Sequence, residues 1–107
     1  MKIAVSAAGG SMSALVSEQF GRCAYFIIVD TGNMKWEPIS NSAAGMMGGA
    51  GPEAARLISG QKATVLLTGS VGPNAVSALK SAGVEVVTGI SGNLTVQQAV
   101  EQYIAKK

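Results

Sequence analysis

Apolar and polar positions along the chain alternate in short runs separated by glycine-rich breaks. Residues 3–6, Ile-Ala-Val-Ser, form a brief apolar run fit for a buried strand, which empties into the flexible polar stretch Ala7-Ala8-Gly9-Gly10-Ser11. After Phe20-Gly21-Arg22-Cys23, the aromatic and β-branched run Tyr25-Phe26-Ile27-Ile28-Val29 predicts a second strand. It ends at the turn sequence Asp30-Thr31-Gly32-Asn33, beyond which Met34-Lys35-Trp36-Glu37-Pro38-Ile39 completes a β-hairpin. Residues 40–51 contain only Ser, Asn, Ala, Met and Gly, too glycine-rich for a regular element and longer than most connections. Long loops of this kind are often functional.

Pro52 stands at a favoured first helical position, and Ala54, Ala55, Leu57 and Ile58 give a short helix that Gly60 can end. Residues 63–68 read as a strand. The pattern repeats when Gly72-Pro73-Asn74-Ala75 opens a helix through Leu79, Gly83 stops it, and Val84-Glu85-Val86-Val87 forms another strand. Two consecutive αβ units result. In the last helix, over 95–106, Thr95 and Gln98 fit a capping box, Val96, Ala99, Val100, Tyr103 and Ile104 share a face, and Lys106 and Lys107 close it. The order β-β-β-α-β-α-β-α predicts an α/β fold: a mixed sheet with parallel later strands and right-handed crossovers, sandwiched in three layers by helices on both faces.

Composition narrows the class. With 107 residues, 48% of them hydrophobic and 13% charged, one domain with one core over 1–107 is expected. The uncharged run 63–79 is broken by Gly69, Gly72 and Pro73, so it lacks the roughly 20 apolar residues of a membrane span. The first residues read as a strand rather than a signal peptide, which points to the cytoplasm. The net charge of +2 is spread over Lys2, Arg22, Lys35, Arg56, Lys62, Lys80, Lys106 and Lys107 without a basic run, which argues against nucleic acid. There is no histidine, and Cys23 is the only cysteine, so neither a disulfide nor a conventional protein-derived metal site is available.

Three segments could carry chemistry. Gly45-Met46-Met47-Gly48-Gly49-Ala50-Gly51-Pro52 can turn backbone N–H groups toward an anion beside a helix start, or can be a flexible surface loop. Its two methionines are soft thioether ligands or packing surfaces for metal-bound sulfur, or else a hydrophobic lid. In Phe20-Gly21-Arg22-Cys23 the arginine favours a thiolate able to ligate metal, against the reading of Cys23 as a small buried hydrophobe. Thr68-Gly69-Ser70-Val71-Gly72-Pro73-Asn74 leaves a strand end for a helix start, where open α/β sheets bind ligands; the rival reading is an efficient turn with Ser70 or Asn74 near the cap. Hydrolytic chemistry has no support: no histidine can act as base, Asp30 lies at the hairpin turn, and Glu18, Glu37, Glu53, Glu85 and Glu101 are scattered.

Residues 16–26 (Val-Ser-Glu-Gln-Phe-Gly-Arg-Cys-Ala-Tyr-Phe), the Gly45–Gly51 loop, and Gly69-Ser70-Val71-Gly72-Pro73-Asn74-Ala75 together resemble the dinitrogenase iron-molybdenum cofactor biosynthesis family. The closing Thr95-Val96-Gln97-Gln98-Ala99-Val100 helix and Tyr103 extend the resemblance over nearly the whole chain. It implies a ribonuclease H-like architecture, a five-stranded mixed sheet whose second strand is antiparallel. It also implies non-enzymatic binding and carriage of a metal-sulfur cluster, an iron-molybdenum cofactor precursor or a molybdenum-copper sulfide, as in NifX, the carboxyl-terminal part of NifB and the orange protein. A cofactor-assembly or cluster-acceptor protein is the implied partner. Histidines common in the family before the Phe-Gly-Arg block and in the glycine loop are replaced here by Gln19 and by Met46 and Met47. The expected contacts are therefore Arg22, Cys23, Gly45, Met46, Met47, Gly48, Gly49, Gly51, Gly69, Ser70, Gly72 and Asn74, with Cys23, Met46 and Met47 as the candidate metal ligands. The competing class is a cluster-free interaction or regulatory domain on the same fold; an enzyme acting through Cys23 or the glycine loops ranks third because no base accompanies either.

Overall fold

The computed structural model describes residues 1–106; Lys107, counted above among the cations, lies outside them. The chain forms β1 (Lys2–Ala7), β2 (Tyr25–Asp30), β3 (Lys35–Ser40), α1 (Ala50–Gly60), β4 (Val65–Leu67), α2 (Pro73–Ser81), β5 (Glu85–Val87) and α3 (Val96–Ala105). Five strands make one sheet in the order β3-β2-β1-β4-β5. β2 is antiparallel to both β1 and β3, whereas β1, β4 and β5 run parallel. This is the mixed sheet with an antiparallel second strand that the sequence led us to expect.

The centre of the sheet is apolar on both faces because helices cover both. Ala4, Phe26, Ile28 and Leu66 pack with Ala54, Ile58 and Leu79 from α1 and α2. Ile3, Val5, Ile27, Val29 and Leu67 face the other way, onto Val96, Ala99 and Val100 of α3. A strand buried on both sides loses the alternation of a half-exposed one, which is why β1 and β2 read as continuous apolar runs. Each large side chain so buried contributes about 1.5–3 kcal/mol. β3 is the exposed edge, and Pro38 within it lacks a donor, a residue suited to an edge strand.

Details depart from the sequence reading at element ends. α1 begins two residues before Pro52, because Gly49 takes the left-handed conformation (φ 73°) at the N-cap and turns the chain into the helix there. Gly60 stays inside α1; the left-handed turn toward β4 falls instead on Lys62 (φ 65°). The capping box of α3 forms as expected: the Gln98 N–H donates to Thr95 Oγ1 at 3.1 Å and the Thr95 N–H to Gln98 Oε1 at 2.9 Å. Ile104, assigned to its apolar face, is 40% exposed, whereas Val96, Ala99 and Val100 are buried against the sheet and Tyr103 packs beside them.

Candidate functional site: a bowl at two helix N-termini

β1 and β4 both end on the same edge of the sheet, and the segments that follow them are stitched together there. The Ser70 N–H donates to the Glu18 carbonyl at 2.7 Å, Ser70 Oγ donates to the same oxygen at 3.1 Å, and the Phe20 N–H donates to the Ser70 carbonyl at 3.2 Å. The two backbones lie so close that a Cβ on Gly69 would come within 2.6 Å of the Glu18 main chain. Gly21 then crosses the start of α1, where a Cβ would meet the Gly51 nitrogen at 3.2 Å, and a Cβ on Gly51 would sit 3.0 Å from that of Ala75. Absent side chains thus bring α1, α2 and the Phe20–Arg22 segment to one point.

Between them lies an open cavity of about 320 Å³, walled by residues 20–22, 49–52 and 72–75. The first turns of α1 and α2 both open into it, and neither helix has a side chain capping its N–H groups. The first N–H groups of a helix have no carbonyl one turn earlier to bond, so they are available to a ligand. Each N-terminus also carries roughly half a positive charge. Arg22 is the one charged side chain in the wall among the described residues. Glu53, in the first turn of α1, is turned to Arg56, whose Nε donates to Oε1 at 2.9 Å and holds the carboxyl below its usual range. The bowl therefore holds about two positive charges and no opposing carboxylate.

Arg22 also braces the glycine-rich loop. Its Nη1 donates to the Ala44 carbonyl at 3.0 Å and to that of Met46, leaving Nε and Nη2 free of hydrogen bonds among the described residues. The Met46 side chain folds back toward the mouth of α1, its Cε 3.8 Å from the Cβ position of Gly49. Met47 is fully exposed at the crest of the loop, and no atom comes within 4 Å of the Cβ positions of Gly45 or Gly48.

Cys23 corrects the sequence reading. It is 2% exposed and packs in the core beneath α1 and α2, with Sγ donating to the Phe20 carbonyl at 3.2 Å. Burial pushes its thiol up to about 11, against the smaller opposing effect of its hydrogen bonds. The neighbouring arginine does not produce a thiolate, because its guanidinium reaches outward to the loop while the thiol is in the core. The structure thus gathers Arg22, Met46, Gly49, Gly51, Gly72 and Asn74 around the bowl, sets Gly45, Met47 and Gly48 on the loop beyond it, and uses Gly69 and Ser70 as the stitch behind it. Phe20, Gly21 and Asn41 belong to the construction although no chemical character singled them out; the glycine beside the arginine and the asparagine opening the loop were the available signals.

No group of three or more His, Cys, Asp or Glu side chains is assembled for a metal ion among the described residues. The donors present, backbone N–H groups, a guanidinium and thioethers, suit a preformed anion bearing soft sulfur rather than a bare cation.

These features fall within a fold and family already known. Residues 1–106 match the family model described as dinitrogenase iron-molybdenum cofactor, and the chain belongs to that family. The structure of the apo form of the orange protein from Desulfovibrio gigas superposes with a TM-score of 0.95 at 40% identity, covering 98% of this chain and 88% of that one. A Thermotoga protein of the NifB kind, placed in the DUF35 family, superposes with a TM-score of 0.83 at 34% identity, covering 97% and 87%. An uncharacterized Methanocaldococcus jannaschii protein is 35% identical over 74 residues, 66% of this chain and 63% of its own length. No helix among the described residues is long and apolar enough to cross a membrane.

Proposed function

We propose that this protein is a non-enzymatic carrier that holds an anionic metal-sulfur cluster in the bowl and passes it to a cofactor-assembly or acceptor protein. The cargo is an iron-molybdenum cofactor precursor or a molybdenum-copper sulfide. The observation that carries this reading is the pairing of two uncapped helix N-termini with Arg22 around one open cavity. Fixed N–H dipoles and a guanidinium stabilise a polyanion without bonding to its metals, so the cargo can leave intact. Met46 lies where its thioether can cover the cluster's sulfides, and Met47 can swing over them as the loop moves. This reading leaves Cys23 out of ligation, since its thiol is enclosed in the core and burial raises its pKa. Family membership supports the same cargo class.

Anaerobic reconstitution of the purified protein with molybdenum, copper, iron and sulfide, followed by gel filtration, visible absorption and metal analysis, tests the proposal. Colour and stoichiometric metal should travel with the wild type and be lost when Arg22, Met46 and Met47 are all replaced by alanine. A Cys23→Ala protein should load as the wild type does. If no mixture leaves metal on the wild type, the carrier reading fails and a cluster-free interaction domain replaces it.

A further inference from the structure

Asn41 follows β3 directly and is 5% exposed. Its carboxamide is fully engaged: Nδ2 donates to the carbonyls of Gly21 at 3.2 Å and Cys23 at 2.9 Å, and Oδ1 accepts the Ala43 N–H at 3.1 Å. Its main chain is held as well, the N–H by the Ala24 carbonyl at 3.0 Å and the carbonyl by the Ala44 N–H at 3.2 Å. The Asn41 N–H to the Ala24 carbonyl continues the β2–β3 ladder one rung beyond Tyr25 and Ser40, whereas the side-chain contacts extend no regular element. They join two irregular segments, and those segments form the Arg22 side of the bowl.

The two carbonyls that Asn41 holds bracket Arg22. Fixing the chain on both sides of a residue removes most of its backbone freedom, and with it the range of directions its side chain can take. Arg22 returns the brace from the other segment, through Nη1 to the Ala44 and Met46 carbonyls. Each segment thus supplies one side chain that holds the other's backbone. We propose that Asn41 is the positioning residue of the bowl: it touches no ligand, and it sets the direction in which Arg22 presents its guanidinium to the cavity and the loop. This inference rests on the reading of the cavity as an anion site.

The test titrates tetrathiomolybdate, a soft sulfur-bearing dianion, into the wild type, Asn41→Ala and Val100→Ala. Val100, on the buried side of α3, packs on the opposite face of the sheet and supplies a control for lost stability. At matched loss of thermal stability, Asn41→Ala should weaken binding tenfold or more and Val100→Ala less than twofold. In parallel, the Arg22 Nε–H resonance, distinct in the wild type, should collapse to the position of a free arginine in Asn41→Ala and stay in place in Val100→Ala. Equal weakening in both variants, or wild-type affinity in Asn41→Ala, overturns the proposal. If the wild type binds no thiomolybdate, the anion reading itself fails, and the Arg22 resonance decides alone: its persistence in Asn41→Ala refutes the positioning role and its collapse sustains it. Should Asn41→Ala not fold, Asn41→Ser, which keeps a small polar group unable to span both carbonyls, takes its place.

Discussion

The two faces of the sheet end their helices differently. On one face, α3 starts with a complete capping box, in which Thr95 Oγ1 takes the Gln98 N–H and Gln98 Oε1 the Thr95 N–H, while the Val96 and Gln97 N–H groups donate to the Ala14 and Met12 carbonyls. On the other face, α1 and α2 start at Gly49 and Gly72, residues without any side chain to cap them, and both starts open into one cavity. A capping side chain is worth only a few tenths of a kcal/mol over glycine, so the two bare helix ends give up little stability while leaving their N–H groups open. That difference separates a helix end built for stability from ends left available to a ligand.

The largest expected effect breaks the bowl itself. Gly69→Ala would drive a Cβ against the Glu18 backbone and part the stitch behind the cavity; calorimetry should find a loss of about 3 kcal/mol, with anion binding abolished. Next comes the thiol beneath the bowl. Its pKa is raised from 9.0 to about 11, so its contribution is intact below about pH 9 and is lost as pH rises toward 11, where the unfolded chain has already given up the proton. Denaturant melts should show about 2 kcal/mol of stability lost over that window, a loss missing from Cys23→Ala.

A sharper comparison adds a cap where none exists. Gly72 has extended N-cap geometry, and nothing lies within 4 Å of its Cβ position, so Gly72→Asp can cap α2 without strain. Stability in thermal melts should rise slightly, by a few tenths of a kcal/mol, while thiomolybdate affinity falls about tenfold, since the new carboxylate takes the N–H groups and repels the anion. The converse, Thr95→Ala, should cost α3 about 1 kcal/mol in thermal melts and leave affinity unchanged. If Gly72→Asp binds as tightly as the wild type, the bare helix ends are not the anion site.

Much of the fold was legible from the chain alone. The doubly buried strands announce themselves as unbroken apolar runs, and the Thr95-Val96-Gln97-Gln98 signature fixes the start of α3 because capping is settled within four residues. The candidate site was legible as three glycine-bearing segments but not as an arrangement. Arg22 and Cys23 illustrate the limit: adjacency suggested an activated thiolate, whereas the fold sends one outward to the loop and buries the other. Asn41 went unremarked because a lone asparagine at the head of a loop looks like a turn residue until its partners, 18 and 20 positions away, are in place.

By itself, then, the sequence determined the order of elements, the capped helix and the family, all of which follow from local periodicity, turn chemistry and motif. Only the tertiary structure decided that Gly21, Gly51 and Ala75 cross at one point, that two bare helix ends face one cavity, and that Cys23 is enclosed in the core. The physical reason is range. Backbone propensity and capping act over a turn or two of chain, while burial, close backbone approach and the summed field of helix ends depend on segments far apart in sequence, such as Glu18 and Ser70, 52 positions apart, brought together by the sheet.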